Sequence, residues 1–219
     1  MSYSHNDNKG ISFESKLDSL FKCKTGGFYI ELGANDGLIQ SNTAFLEKER
    51  HWTGVLIEPS LNAYEKCVIN RPKSRCINAA CVDSSYTNKY VYGDFNGDLM
   101  SSIDGKRLSN PVVTQVCVRA KTLEAILDDC GCDGEIDLLS LDTEGFELQV
   151  LDGLNLCKYR PRYMLIEIYK SQYNDLISML QKNKYSLVEN FSNYNSVDNP
   201  QWDGTHNDYL FKDDLCNSI

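Results

Sequence analysis

Residues Phe28 to Leu38, reading Phe-Tyr-Ile-Glu-Leu-Gly-Ala-Asn-Asp-Gly-Leu, constrain this chain more than any other stretch. Phe28 to Leu32 is apolar and aromatic apart from Glu31, the pattern of a strand buried on both faces in a parallel sheet. Gly33-Ala34-Asn35-Asp36-Gly37 then supplies a turn of residues that tolerate positive φ, so the backbone there can approach a ligand closely. In open α/β sheets ligands settle outside the carboxyl ends of the strands, which is where this turn falls. Its spacing is not the G-x-G-x-x-G of a dinucleotide site, and Glu31 just before it would repel phosphate while attracting an ammonium or a sulfonium. The turn points to S-adenosylmethionine (SAM), with a bare structural turn as the alternative reading.

Gly54-Val55-Leu56-Ile57-Glu58-Pro59 reads as a second buried strand that ends in a carboxylate. An acid at that tip can accept from both ribose hydroxyls of a nucleoside, the bland alternative being a solvated strand-end charge. Two acids at two neighbouring strand tips favour the nucleoside reading.

The 219 residues, 42% of them hydrophobic, suffice for one domain with a real core. The expected division is a polar segment and leading helix over 1–26 and a single SAM-dependent domain over 27–219, with a lid-like insertion at 89–120. A formal charge of −9 without any run of Lys or Arg argues against nucleic acid as a partner. No apolar run is long enough to span a bilayer, and nine scattered cysteines read as the reduced thiols of a cytoplasmic protein. Cys130-Gly-Cys132 lacks the second pair or the histidines that a zinc site needs. Met1 to Gly10 is expected to be disordered, or to be the end of a linker if the chain is cut from a larger glycan-modifying protein.

Along the chain, Ile11 to Phe21 has a helical apolar rhythm and is expected to cover the cofactor side. Ser41-Asn42-Thr43 stands where the next helix begins and is suited to cap it, to hold the SAM carboxylate, or both. Arg75 to Val82 predicts a third strand whose small end, Ala79-Ala80, leaves room for an adenine ring. Lys89 to Tyr92 and Gln115 to Arg119 alternate as strands do, around a Gly- and Ser-containing insertion that suits a substrate lid or a plain surface loop. Thr122 is placed to cap the helix that follows.

Ile136 to Gly145 predicts a strand that delivers Asp142 and Glu144 at its tip, and Arg162 to Ile168 another with Glu167 embedded in it. A carboxylate in so apolar a run is costly unless it is paired or used. Asp142 and Glu144 suit a general base, a sulfonium counter-charge or, left open, ligands to a divalent ion. His206, at the entry to a last strand expected at Tyr209-Leu210-Phe211, is a further candidate for taking a proton, with a structural role as the alternative.

Glu31-Leu32-Gly33-Ala34-Asn35-Asp36-Gly37, Val55-Leu56-Ile57-Glu58-Pro59, and Leu141-Asp142-Thr143-Glu144-Gly145-Phe146-Glu147 through Leu151-Asp152-Gly153 together resemble the FkbM family of SAM-dependent methyltransferases. The resemblance spans roughly Gly27 to Phe211, and its most specific part is the D-x-E-G-x-E segment with the trailing Leu-x-Gly. It implies a Rossmann-like, doubly wound, three-layer α/β/α fold with a seven-stranded, mostly parallel sheet and a reversed last strand. It also implies O-methylation of small hydroxylated molecules such as sugars and polyketides. On this reading Glu31, Gly33, Asn35, Gly37, Ser41 and Asn42 hold the amino-acid end of SAM, Glu58 its ribose, and Pro59, Ala80 and Asp142 complete the cofactor site. Asp142, Glu144, Glu167 and His206 are the candidates for base and hydroxyl positioning. Two other classes stay open: an NAD-dependent nucleotide-sugar dehydrogenase or epimerase, and a SAM-binding module without activity.

Overall fold

Apolar strands alternating with amphipathic helices demand a sheet with helices on its faces. The computed structural model, which describes residues 2–93, 95, 116–200 and 202–216, has that architecture. The main sheet comprises β1 (Phe28–Leu32), β2 (Thr53–Ile57), β3 (Arg75–Ile77), β7 (Leu138–Leu141), β8 (Tyr163–Tyr169), β9 (Tyr185–Asn190) and β10 (His206–Asp213). Their spatial order is β3-β2-β1-β7-β8-β10-β9, and β10 alone runs against its neighbours, pairing antiparallel with both β8 and β9. This is the seven-stranded, doubly wound sheet with a reversed last strand that the family resemblance implies. A smaller sheet joins β4 (Ala80–Cys81), β6 (Val116–Lys121) and β5 (Tyr90–Gly93).

Alternation along each strand sends side chains to two helical layers. Ile30, Leu32, Val55, Ile57, Leu139, Leu141, Met164 and Ile166 pack with α4 (Leu123–Asp129), α5 (Glu147–Asp152) and α6 (Tyr173–Lys182). Tyr29, Leu56, Leu138, Leu165 and Leu210 pack with α1 (Phe13–Leu20), α2 (Ala44–Arg50) and α3 (Leu61–Asn70). Glu31 shares the face of Tyr29 by the same alternation, so its carboxylate is turned toward the layer of α1 to α3. Ser12, Ser60 and Thr122 cap α1, α3 and α4, each accepting from a backbone N–H three residues on.

Two expectations need correction. The third strand is not continuous over 75–82: Asn78 leaves the sheet to donate its side-chain amide to the carbonyls of Glu58 and Pro59, both at 2.9 Å, and the chain resumes as β4 in the small sheet. The start of the chain is not disordered. Asn6 bridges Ser12, Asp7 N–H donates to Ile11 O, and Asn8 N–H donates to Ser192 O at 2.8 Å. Behind that segment Phe13, fully buried, meets Phe191 edge to face at a centroid distance of 5.0 Å. The lid expected within 89–120 falls largely on residues 94 and 96–115, outside the described residues; β5 and β6 frame it. No helix among the described residues is long and apolar enough to cross a membrane.

Because α1 is part of the core, Phe13→Ala should lower unfolding stability by roughly 3–5 kcal/mol in urea titration, the range for emptying a buried aromatic site. A loss under about 1 kcal/mol would mean that α1 is a dispensable appendage.

Candidate functional site

The glycine turn closes over the tip of β2. Gly33 and Ala34 N–H both donate to Ile57 O, at 3.1 and 3.2 Å. Gly33 has φ +76°, and a Cβ there would stand 1.9 Å from the carbonyl oxygen of Asp142, so β1 and β7 meet at a point that only glycine allows. Asn35, at φ 47°, donates its N–H to Glu58 Oε2 at 2.8 Å, and Ser60 N–H takes Glu58 Oε1 at 2.7 Å. Burial raises the Glu58 carboxyl above its ordinary range, with these two N–H groups acting the other way. The Asn78 side chain, tied to Glu58 and Pro59, delivers Ala79 and Ala80 beside the same tip, both buried.

Glu31 is occupied from below the turn. Its carboxylate accepts from Ser41 Oγ at 2.9 Å, Asn42 N–H at 2.9 Å and Thr43 Oγ1 at 2.6 Å, with an Arg71 nitrogen 3.6 Å away. Ser41 Oγ in turn accepts from Ala44 N–H at 3.1 Å, so Ser41 both serves Glu31 and caps the start of α2. Asn42 donates to Ser140 Oγ at 3.1 Å, which leaves its buried Oδ1 without a hydrogen-bond partner.

At the tips of β7, β8 and β10 the register gathers carboxyls. Leu141 pairs with Ile166 and Asp208 with Glu167, which puts Asp142, Glu167 and Asp208 in a row on one face. Desolvation, then repulsion from Asp208 and Glu147, pushes the Asp142 carboxyl up to about 7. Desolvation, then Asp142 and Asp208, pushes Glu167 up to about 10, and desolvation pushes Asp208 up to about 7. His206 Nε2 lies 3.3 Å from Glu167 Oε1, and its Nδ1 lies 2.8 Å from Thr205 Oγ1. Glu144, at φ 57°, accepts from the Tyr169 hydroxyl at 2.9 Å. Glu147 is fully buried and folds the 143–145 bend around itself, accepting from Thr143 N–H at 2.9 Å and Gly145 N–H at 3.1 Å.

The predicted residues therefore form two joined groups, the turn with Glu58 and the carboxyl row with His206, meeting where Gly33 touches Asp142. Asp208, Tyr169 and Glu147 belong with them and were not among the candidates. Glu147 was visible as the last acid of the D-x-E-G-x-E segment, whereas Asp208 enters only through the antiparallel register of β10. Among the described residues, buried side-chain oxygens without hydrogen-bond partners include Asn42 Oδ1, Glu147 Oε2 and Glu167 Oε2 on these two groups. Buried polar atoms are ordinarily satisfied, so a ligand with donors fits here. Among the described residues no group of three or more His, Cys, Asp or Glu is arranged to hold a metal ion.

The sequence profile of the methyltransferase FkbM domain family matches residues 31–187. No curated protein matches the chain. Among solved structures, the METTL16 MTase domain aligns with a TM-score of 0.50 at 12% identity, over 94% of this chain and 67% of its own. Fibrillarin from Aeropyrum pernix, in complex with natively bound SAM, aligns at 0.49 and 13% identity, over 91% and 76%. A SAM-dependent methyltransferase from Geobacter sulfurreducens, in complex with S-adenosyl-L-homocysteine, aligns at 0.47 and 10%, over 91% and 88%. At 12% identity the first likeness is one of fold alone.

The carboxyl row makes stability depend on pH in a defined direction. Asp142 and Asp208 hold a proton up to about 7 in the folded chain against an ordinary 3.8, so between those values the folded state binds more protons than the unfolded one. Stability is therefore full below the ordinary value and falls as pH rises toward about 7. Urea midpoints of the apo protein should drop between roughly pH 4 and pH 7, and Asp208→Asn should flatten that drop. Parallel curves for the two proteins would remove Asp208 from the row.

Proposed function

The chain belongs to the methyltransferase FkbM domain family, and on that premise we propose that it transfers a methyl group from SAM to a hydroxyl of a small molecule, a sugar or glycan. The observation that carries this reading is the row of carboxyls, buried Glu167 between half-buried Asp142 and Asp208, joined at Gly33 to a glycine turn whose neighbouring groups are acceptors. When bound, SAM supplies an electrophilic methyl group on a good leaving group, which leaves alignment and deprotonation to the chain.

The site's polar groups suit that cofactor. Asn42 Oδ1 is an unused buried acceptor for an ammonium, and Glu58, although both its oxygens already accept from the backbone, retains lone pairs for a ribose diol. Gly33, Asn35, Gly37 and Ser41 shape the pocket for the amino-acid end, Glu31 acts through the 41–43 turn it orders, and Pro59 and Ala80 flank the base. Asp142, with its carboxyl near neutrality, is the group that takes the acceptor's proton, because proton transfer is most effective when the base titrates near the working pH. Glu167, pushed up by burial and then by Asp142 and Asp208, donates toward the acceptor, with His206 beside it and Glu144, held by the Tyr169 hydroxyl, as further positioning groups. The free thiols support a reducing, cytoplasmic setting.

Calorimetric titration with SAM and separately with NAD tests the cofactor. SAM alone should bind, and Glu58→Ala should abolish it; binding of NAD alone, or of neither, sinks the assignment. Against a panel of sugars, glycans and amines, mass spectrometry should find the methyl group on oxygen, and Asp142→Asn should slow transfer by about 10²–10⁴-fold while SAM still binds. A methyl group on nitrogen, or an unaffected Asp142→Asn, would overturn the hydroxyl chemistry.

A further inference from the structure

The glycine turn is held in an unfavourable backbone conformation by something outside itself. Gly33, Asn35, Gly37 and Gln40 all have positive φ, and for Asn35 and Gln40 that is a conformation L-residues rarely adopt. Such a turn persists only where its surroundings fix it. The fixing groups stand at the far end of α3, the helix that starts at Ser60 next to Glu58. Asn70 donates its side-chain amide to Asp36 O at 2.9 Å. Arg71, fully buried, donates to Gly37 O at 3.0 Å and Ser41 Oγ at 3.1 Å through one nitrogen, and to Thr43 Oγ1 at 2.9 Å and Tyr29 OH at 2.6 Å through another. Its Nε donates to Glu47 Oε2 at 3.2 Å.

A buried cation is tolerated only when it is paired and its donors are used, and this one faces Glu47 and Glu31 and spreads its remaining hydrogen bonds over both ends of the turn. The planar guanidinium reaches all of these acceptors at once, which a lysine ammonium cannot do. Within the turn Asp36 Oδ1 accepts from Leu38 and Ile39 N–H, and the two consecutive carbonyls of Asp36 and Gly37 accept from two consecutive helix-end side chains, Asn70 and Arg71.

We propose that Arg71, assisted by Asn70, is the positioning residue that holds the 33–43 turn in the shape that receives the amino-acid end of SAM. The inference rests on the SAM reading above and deepens it. Arg71 does not touch the cofactor; it acts through the Gly37 carbonyl and through Ser41 and Thr43, which in turn set Glu31 and Asn42. The ribose end, at Glu58, is fixed from the other end of α3 by Ser60 N–H and meets the turn only through Asn35 N–H, so it depends on Arg71 far less.

Two probes separate these ends: S-adenosylhomocysteine, which carries the amino-acid portion, and 5′-methylthioadenosine, which lacks it but keeps the ribose and adenine. Both are titrated calorimetrically into the full chain and into Arg71→Lys, which retains the charge and loses the fork. The expected result is about ten-fold or more weaker binding of S-adenosylhomocysteine, the scale of losing part of a buried hydrogen-bonded charge cluster, with methylthioadenosine affinity unchanged. Equal weakening of both would mean that Arg71 only supports the fold, and unchanged affinity for both would mean that it does not hold the turn; either overturns the inference. If Arg71→Lys does not fold, Asn70→Ala carries the same comparison, and an unchanged ratio there overturns it. A wild-type chain that binds neither probe sinks the SAM reading itself, an outcome distinct from the others.

Discussion

A carboxylate in the middle of a buried strand has to be given donors, and much of this molecule is the means by which Glu31 gets them. The strand cannot supply them, because its own N–H groups are engaged in the parallel ladders with β2 and β7. The donors come from Ser41, Asn42 and Thr43, so the chain that leaves β1 must double back before α2 can begin. Doubling back within so few residues forces the left-handed backbone at Gly33, Asn35, Gly37 and Gln40. The compensating positive charge, Arg71, has to come from the end of α3. One buried acid thus dictates a turn, the start of one helix and the end of another.

The same arrangement explains what could be read from the sequence and what could not. The strands and their tips were legible, since Phe28–Leu32, Thr53–Ile57, Leu138–Leu141 and Tyr163–Tyr169 are runs that only a parallel sheet accommodates. Glu58 and Asp142 were legible as acids at such tips. The position of Asn78 was not: its departure from the sheet is decided by two carbonyls far away in sequence. Nor was the order at the chain's start, where a polar composition hid backbone contacts to Asp7, Ile11 and Ser192. Arg71 was not singled out from the sequence. Its burial is a tertiary fact, set by acceptors on three other segments.

The carboxyl row illustrates a further limit. Strand alternation puts Asp142 and Glu167 on predictable faces of their own strands, but only register makes them neighbours, and only the reversal of β10 adds Asp208. Gathering so many acids side by side, half-buried or buried, is unfavourable for the apo fold, and their shared protons partly relieve it. Sites that carry chemistry often retain such local disadvantages because the surrounding fold is stable enough to sustain them. Here the sustaining structure is the two-sided apolar core on which all three strands lie.

Gly33 is where the turn beside Glu58 touches the segment carrying Asp142, with no room even for a methyl group between them. The two halves of the site consequently share a hinge pin of zero play. A molecule that bound one half and shifted this contact would shift the other half with it, and the two occupancies would then be linked. Linkage of that kind is reciprocal: whatever factor the first occupant contributes to the affinity of the second, the second returns to the first.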